Sequence, residues 1–90
     1  MMAKLLIADD NAAIREILQI AADAAGFTAV LASDGEEAWQ IFTEGGIDLL
    51  LLDVMMPGLD GFALCQRIRR ESDVPIIMIT ARGEIGRAHV

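Results

Sequence analysis

Short apolar runs that end on an acidic residue, alternating with helix-patterned stretches, constrain this chain more than any other feature. Leu5-Leu6-Ile7-Ala8 runs into Asp9-Asp10, and Ile47-Asp48-Leu49-Leu50-Leu51-Leu52 runs into Asp53. A strand that is apolar at consecutive positions is covered on both faces, as in a parallel sheet with helices on each side. Between these runs, Ile14, Ile17, Leu18, Ala21 and Ala25 follow helical spacing, with Asn11 or Asp10 as N-cap and Gly26 as the stop. Thr28 to Ala32 reads as a second strand, and Ser33-Asp34-Gly35 turns the chain before a helix from Glu36 with Ala38, Ile41 and Phe42 as its apolar stripe. Gly45-Gly46 ends that helix. After Asp53, Met56-Pro57-Gly58-Leu59-Asp60-Gly61 is rich in turn residues, and Asp60 is placed to cap a third helix through Phe62, Leu64, Cys65 and Ile68. Val74-Pro75-Ile76-Ile77-Met78-Ile79 supplies a fourth strand and delivers Thr80 at its carboxyl end.

The pattern predicts an α/β fold of three layers, α/β/α, around a parallel sheet. In open parallel sheets the working site lies beyond the carboxyl ends of the strands, where strand order reverses. A flavodoxin-like order of 2-1-3-4 gathers Asp9, Asp10, Asp53 and Thr80 at that point. Three carboxylates crowded together without a local base raise one another's pKa unless a cation sits among them. Oxygen-only ligands favour a hard ion, and Mg²⁺, which joins a few carboxylates to waters and a phosphate, fits better than Zn²⁺.

Composition narrows the function classes. Ninety residues allow one small domain, and a hydrophobic share of 54% excludes an intrinsically disordered chain. Fourteen acidic against seven basic residues give a net charge of −7, which repels nucleic-acid and anionic-lipid phosphates, so no direct nucleic-acid binding and no membrane contact are expected. Cys65 stands alone, which fits a reducing, cytoplasmic setting and rules out an internal disulfide. No run reaches the ~18 apolar residues of a membrane span.

Leu6-Ile7-Ala8-Asp9-Asp10, Leu52-Asp53-Val54-Met55-Met56-Pro57-Gly58-Leu59-Asp60-Gly61 and Ile79-Thr80-Ala81-Arg82 together resemble the receiver domain of bacterial two-component response regulators, of the subfamily with a winged-helix DNA-binding output. The resemblance spans Lys4 to Arg82. It implies that Asp53 is the phosphoacceptor for a sensor histidine kinase, a signalling role rather than an enzyme's. It implies that Asp9, Asp10, Asp53 and the backbone carbonyl of Met55 hold Mg²⁺. Thr80 would donate its hydroxyl to a phosphoryl oxygen, Ala81 would leave that oxygen room, and Met55 and Arg82 would tune phosphoryl lifetime. A flavodoxin would need a Ser/Thr-rich phosphate loop where Asp9-Asp10-Asn11-Ala12-Ala13 stands. A haloacid-dehalogenase-type phosphatase would need an aspartate at Met55.

Single residues also have plainer readings. Asp9-Asp10 alone would do as helix caps, Cys65 and Trp39 as packing residues, and Arg67, Arg69 and Arg70 as solvent-facing complements to a helix C-terminus.

The resemblance also implies a fourth helix, a fifth strand bearing a lysine, and a fifth helix, which the ten residues after Thr80 cannot hold. The expectation is therefore a receiver domain over 1–83, truncated and lacking strand 5 and helix 5, that folds weakly or self-associates along an apolar fourth-strand edge. An inert or interaction-only fragment is the alternative to a working phosphoacceptor. Residues 84–90, Glu-Ile-Gly-Arg-Ala-His-Val, read as a non-native tail, since GAG ATC GGA AGA GCA CAC GTC matches one frame of a common short-read sequencing adapter. Resequencing the locus from genomic DNA decides this; recovery of the same codons would end the idea.

Overall fold

The computed structural model describes residues 2–79. Its elements alternate as β1 (Lys4–Ala8), α1 (Ala12–Ala24), β2 (Thr28–Ala32), α2 (Gly35–Thr43), β3 (Leu49–Asp53), α3 (Gly61–Arg69) and β4 (Ile76–Ile79). All strand pairs are parallel, and the sheet order is β2-β1-β3-β4, as the sequence predicts. The central strands β1 and β3 hold the fully buried Leu6, Ile7, Leu50 and Leu52, because both of their faces are covered.

Alternate strand residues feed two cores. Leu6, Ala8, Leu50 and Leu52 meet Ala38 of α2 and Leu64 and Ile68 of α3 on one face. Leu5 and Ile7 meet Ala22 and Leu18 of α1 on the other, with Leu49 and Leu51 beside them. Leu6, Ile7, Leu50 and Leu52 are fully buried, and each contributes roughly 1.5–3 kcal/mol of hydrophobic stabilisation.

The helix ends follow from side-chain chemistry. Asn11 caps α1, its side chain accepting the N–H groups of Ala13 and Ile14, so it rather than Asp10 fills that role. Asp60 caps α3 through Ala63 N–H, as predicted, and Asp34, read from the sequence only as part of a turn, caps α2 through Glu37 N–H. Helix α2 starts at Gly35, one residue before the predicted Glu36. A Cβ at Gly35 would run into the backbone carbonyl of Leu59, so the start of α2 packs directly on the β3–α3 loop. Gly26 and Gly45-Gly46 follow α1 and α2 at positive φ, where a glycine ends a helix without strain.

Further sequence expectations change, among them the start of β4, which lies at Ile76 and not Val74. Strand β3 begins at Leu49, not Ile47: Asp48 instead clips the sheet's start, its carboxylate accepting Lys4 N–H at 2.8 Å while its own N–H donates to the Lys4 carbonyl. Helix α1 turns Leu18 and Ala22 to the sheet and leaves Ile14, Ile17 and Ala21 exposed, with Ile17 at 61% and the neighbouring Ile20 at 63%. Its isoleucines form a second stripe that spacing alone could not separate from the first. Arg67 does not simply face water: its guanidinium lies 5.2 Å from the centre of the Trp39 ring and 3.9 Å from Glu36, tying α3 to α2. Such a half-exposed pair adds little as an ion pair, and the stacking on Trp39 is the larger part. Among the described residues no helix is long and apolar enough to cross a membrane.

Candidate functional site

The register of the sheet builds the site. Ala8 stands opposite Leu52 in the β1–β3 ladder, so one residue further Asp9 and Asp53 leave adjacent strands side by side. Neighbouring strands are about 4.8 Å apart, which puts two carboxylates in one small volume. Asp10 follows in the turn before α1. One carboxylate oxygen from each of Asp9, Asp10 and Asp53 lies within 4.8 Å of the others. Asp9 and Asp53 are each only 5% exposed, and Asp10 is exposed at the rim.

Backbone donors fix two of the three side chains. Asn11 N–H donates to Asp9 Oδ1 at 2.9 Å, and Met55 N–H donates to Asp53 Oδ1 at 3.1 Å. Both are bonds from the residue two positions on, which hold an aspartate at a strand end turned back over its own loop. The loop after Asp53 is braced from behind, because Gly61 N–H donates to the Val54 carbonyl and Val54 N–H donates to the Ile79 carbonyl.

Burial pushes the Asp53 carboxyl up from 3.8 to about 6. Within that net value the Met55 N–H pulls the other way, while the negative charges of Asp9 and Asp10 add to the rise. The metal-free site is thus a place where negative charge is costly and a cation is favoured. Oxygens opposite one another on Mg²⁺ are about 4.2 Å apart, so the 4.8 Å spread closes on one ion with small side-chain rotations or an intervening water. The residues fit the ion.

The three predicted aspartates are therefore brought together, and Met55 follows Asp53 by two residues with its side chain exposed. Thr80, Ala81 and Arg82 lie outside the described residues. One neighbour escaped the sequence reading: Arg15 of α1, whose Nη1 donates to the Asp9 carbonyl at 2.7 Å. Its position six residues beyond Asp9 offers no short-range signal, since a long side chain bonding a backbone carbonyl leaves no residue-type pattern.

The profile of the response regulator receiver domain matches residues 5–89 of the chain. Among curated proteins, the probable transcriptional regulator ycf27 of Guillardia theta is 52% identical over 82 residues, 91% of this chain and 32% of that protein. Transcriptional regulatory protein AfsQ1 of Streptomyces coelicolor is 42% identical over 92% of this chain and 37% of its own length. The chain thus spans about a third of the curated relatives it matches. Among solved structures, the response regulator TrrA of Thermotoga maritima in complex with Mg(2+)-BeF superposes with a TM-score of 0.85 at 37% identity, covering 89% of this chain and 70% of that one. The chemotaxis response regulator CheY4 of Vibrio cholerae gives 0.83 at 33% identity, over 87% and 68% of the two chains.

Proposed function

The chain belongs to the response regulator receiver domain family, and on that premise we propose that it accepts a phosphoryl group from a sensor histidine kinase onto Asp53. Mg²⁺ would be held by Asp9, Asp10, Asp53 and the backbone carbonyl of Met55. The observation that carries this reading is the convergence of three carboxylates at the carboxyl ends of β1 and β3, two of them buried. Among the described residues no basic side chain is paired with these buried like charges, a costly arrangement for structure alone.

In the transfer, an Asp53 carboxylate oxygen forms a bond to phosphorus as the bond from phosphorus to the kinase's histidine nitrogen breaks. The histidine leaves as neutral imidazole after taking up a proton. With a pKa of about 6, Asp53 is mostly ionised at neutral pH and available as nucleophile. The Met55 N–H on Oδ1 holds the carboxylate in a fixed orientation. Bound Mg²⁺ supplies the positive charge that offsets the carboxylates and the phosphoryl oxygens in a loose transition state. Thr80 would contribute a hydroxyl hydrogen bond to the phosphoryl group, Ala81 would leave that group room, and Met55 and Arg82 would set how long it survives. As the input part of a cytoplasmic relay, the phosphorylated domain would shift a conformational equilibrium that a DNA-binding output reads.

Acetyl phosphate with Mg²⁺ is expected to add one phosphoryl group to the full chain, on the peptide that carries Asp53, and a chelator to prevent it. Mapping by mass spectrometry checks both. Uptake on another residue, or uptake indifferent to Mg²⁺, would contradict the proposal.

A further inference from the structure

Asp9 is held at three points. Its N–H donates to the Ala32 carbonyl in β2 at 3.1 Å, its Oδ1 accepts Asn11 N–H, and its carbonyl oxygen accepts Arg15 Nη1. The first two partners are backbone groups that the β1–β2 pairing and the turn supply. The third is a side chain that reaches back from the first full turn of α1, where Arg15 N–H also donates to the Asn11 carbonyl at 3.0 Å.

Among the described residues Arg15 makes no ion pair within 4.0 Å of any carboxylate. A cation placed to neutralise the acidic cluster would bond its carboxylates; this half-buried guanidinium bonds the peptide instead. That choice has a geometric consequence. The Asp9 carbonyl belongs to the rigid peptide plane shared with Asp10 N, so fixing it fixes ψ of Asp9 and φ of Asp10 together. Those two angles set the directions in which the two carboxylates leave the end of β1.

We infer that Arg15 is a positioning residue: by clamping the Asp9–Asp10 peptide it keeps both carboxylates aimed at the cation site and raises that site's affinity for Mg²⁺. The inference rests on the proposed Mg²⁺ site and extends it to a residue outside the ligand set. Charge and positioning make opposite demands here. Removing a nearby positive charge would by Coulomb's law tighten binding of a divalent cation. Removing a hydrogen-bond partner that orients metal ligands weakens binding, typically 10–100-fold.

Calorimetric titration of the full chain with Mg²⁺ at constant ionic strength, on wild type, Arg15→Met and Arg15→Lys, separates the two. Arg15→Met is expected to lose about 10–100-fold in affinity while keeping a wild-type circular dichroism spectrum. Arg15→Lys, which retains a charged donor of similar reach, is expected to recover most of the loss. Equal or tighter binding by Arg15→Met overturns the inference. Should Arg15→Met fail to fold, Arg15→Gln, which shortens the side chain at little cost to the helix, carries the same expectation and the same overturning result. Absence of Mg²⁺ binding by the wild type would sink the site itself, a different outcome from wild-type binding that Arg15 does not influence.

Discussion

Asp53→Asn is expected to abolish phosphoryl uptake from acetyl phosphate and, in the same protein, to stabilise the metal-free fold at neutral pH. The two effects have one cause. The carboxylate proposed as nucleophile sits where burial and the charges of Asp9 and Asp10 disfavour it, and an amide of the same shape has neither the charge nor the nucleophilicity. Neither neighbour replaces it readily: Asp9 is buried and turned back onto Asn11 N–H, and Asp10 lies at the exposed rim. Because the folded-state pKa of Asp53 is raised from 3.8 to about 6, the native state binds its proton more tightly than the unfolded chain does. The stability linked to that proton is fully present below about pH 4 and is lost as pH rises through about 6. At neutral pH the ionised group therefore costs the metal-free fold on the order of 1–3 kcal/mol. Urea unfolding with a chelator present should show Asp53→Asn more stable than wild type by about that amount near neutral pH, and the difference should vanish near pH 4. Saturating Mg²⁺ should reverse the order, since the wild type alone then gains full binding energy. A variant that still takes up phosphate, or a stability difference that does not change with pH, would contradict this account of the site.

Gly61→Ala should be the most damaging small substitution near the site. A Cβ at Gly61 would overlap the Asp53 carbonyl oxygen and press on Val54 Cα, and both are backbone atoms that cannot rotate away. Relief requires moving the start of α3 or the end of β3, which breaks the bond from Gly61 N–H to the Val54 carbonyl and shifts Asp53. The expected cost is about 3 kcal/mol or more, at the upper end of overpacking penalties, together with weakened Mg²⁺ binding. Gly58→Ala is the control. Gly58 has φ of +75° but open space around its Cβ position, so that substitution costs only the left-handed backbone term of about 1–2 kcal/mol and leaves Asp53 in place. Urea midpoints and Mg²⁺ titrations of the two variants should therefore differ. Equal effects would mean that the α3 start does not brace the acidic loop.

The parts of the fold that were legible in the sequence are those where one residue type has one physical use. Buried parallel strands were legible from the apolar runs at Leu5–Ala8 and Leu49–Leu52, because a strand covered on both faces has no polar positions, although the second was read as starting at Ile47. Asp60 read as a cap because a short acidic side chain satisfies free N–H groups at a helix start, whereas Asp34, read as a turn residue, caps α2 in the same way. The convergence of Asp9 with Asp53 followed from strand order, and that order was carried over from the flavodoxin-like fold which the α/β pattern resembles. What was not legible depends on rotation or reach. Ile14, Ile17, Leu18 and Ala22 all suit an apolar helix face, and only packing on Leu5 and Ile7 selects Leu18 and Ala22 as the inner stripe. Arg67 looked like one of several solvated arginines until α2 brought Trp39 beneath it. Arg15 likewise bonds a carbonyl whose position the turn alone defines. Long flexible side chains find partners that the linear sequence does not mark.

The central claim, that Asp9, Asp10 and Asp53 share one divalent ion, is tested most directly by crystals of the full chain grown with Mn²⁺ in place of Mg²⁺, the ion being located by its anomalous scattering. The expected result is a single peak bonded by or bridged through water to the carboxylates of all three aspartates, with the Met55 carbonyl oxygen in its coordination shell. Peaks only elsewhere on the surface, or three carboxylates left apart with no ion between them, would contradict it.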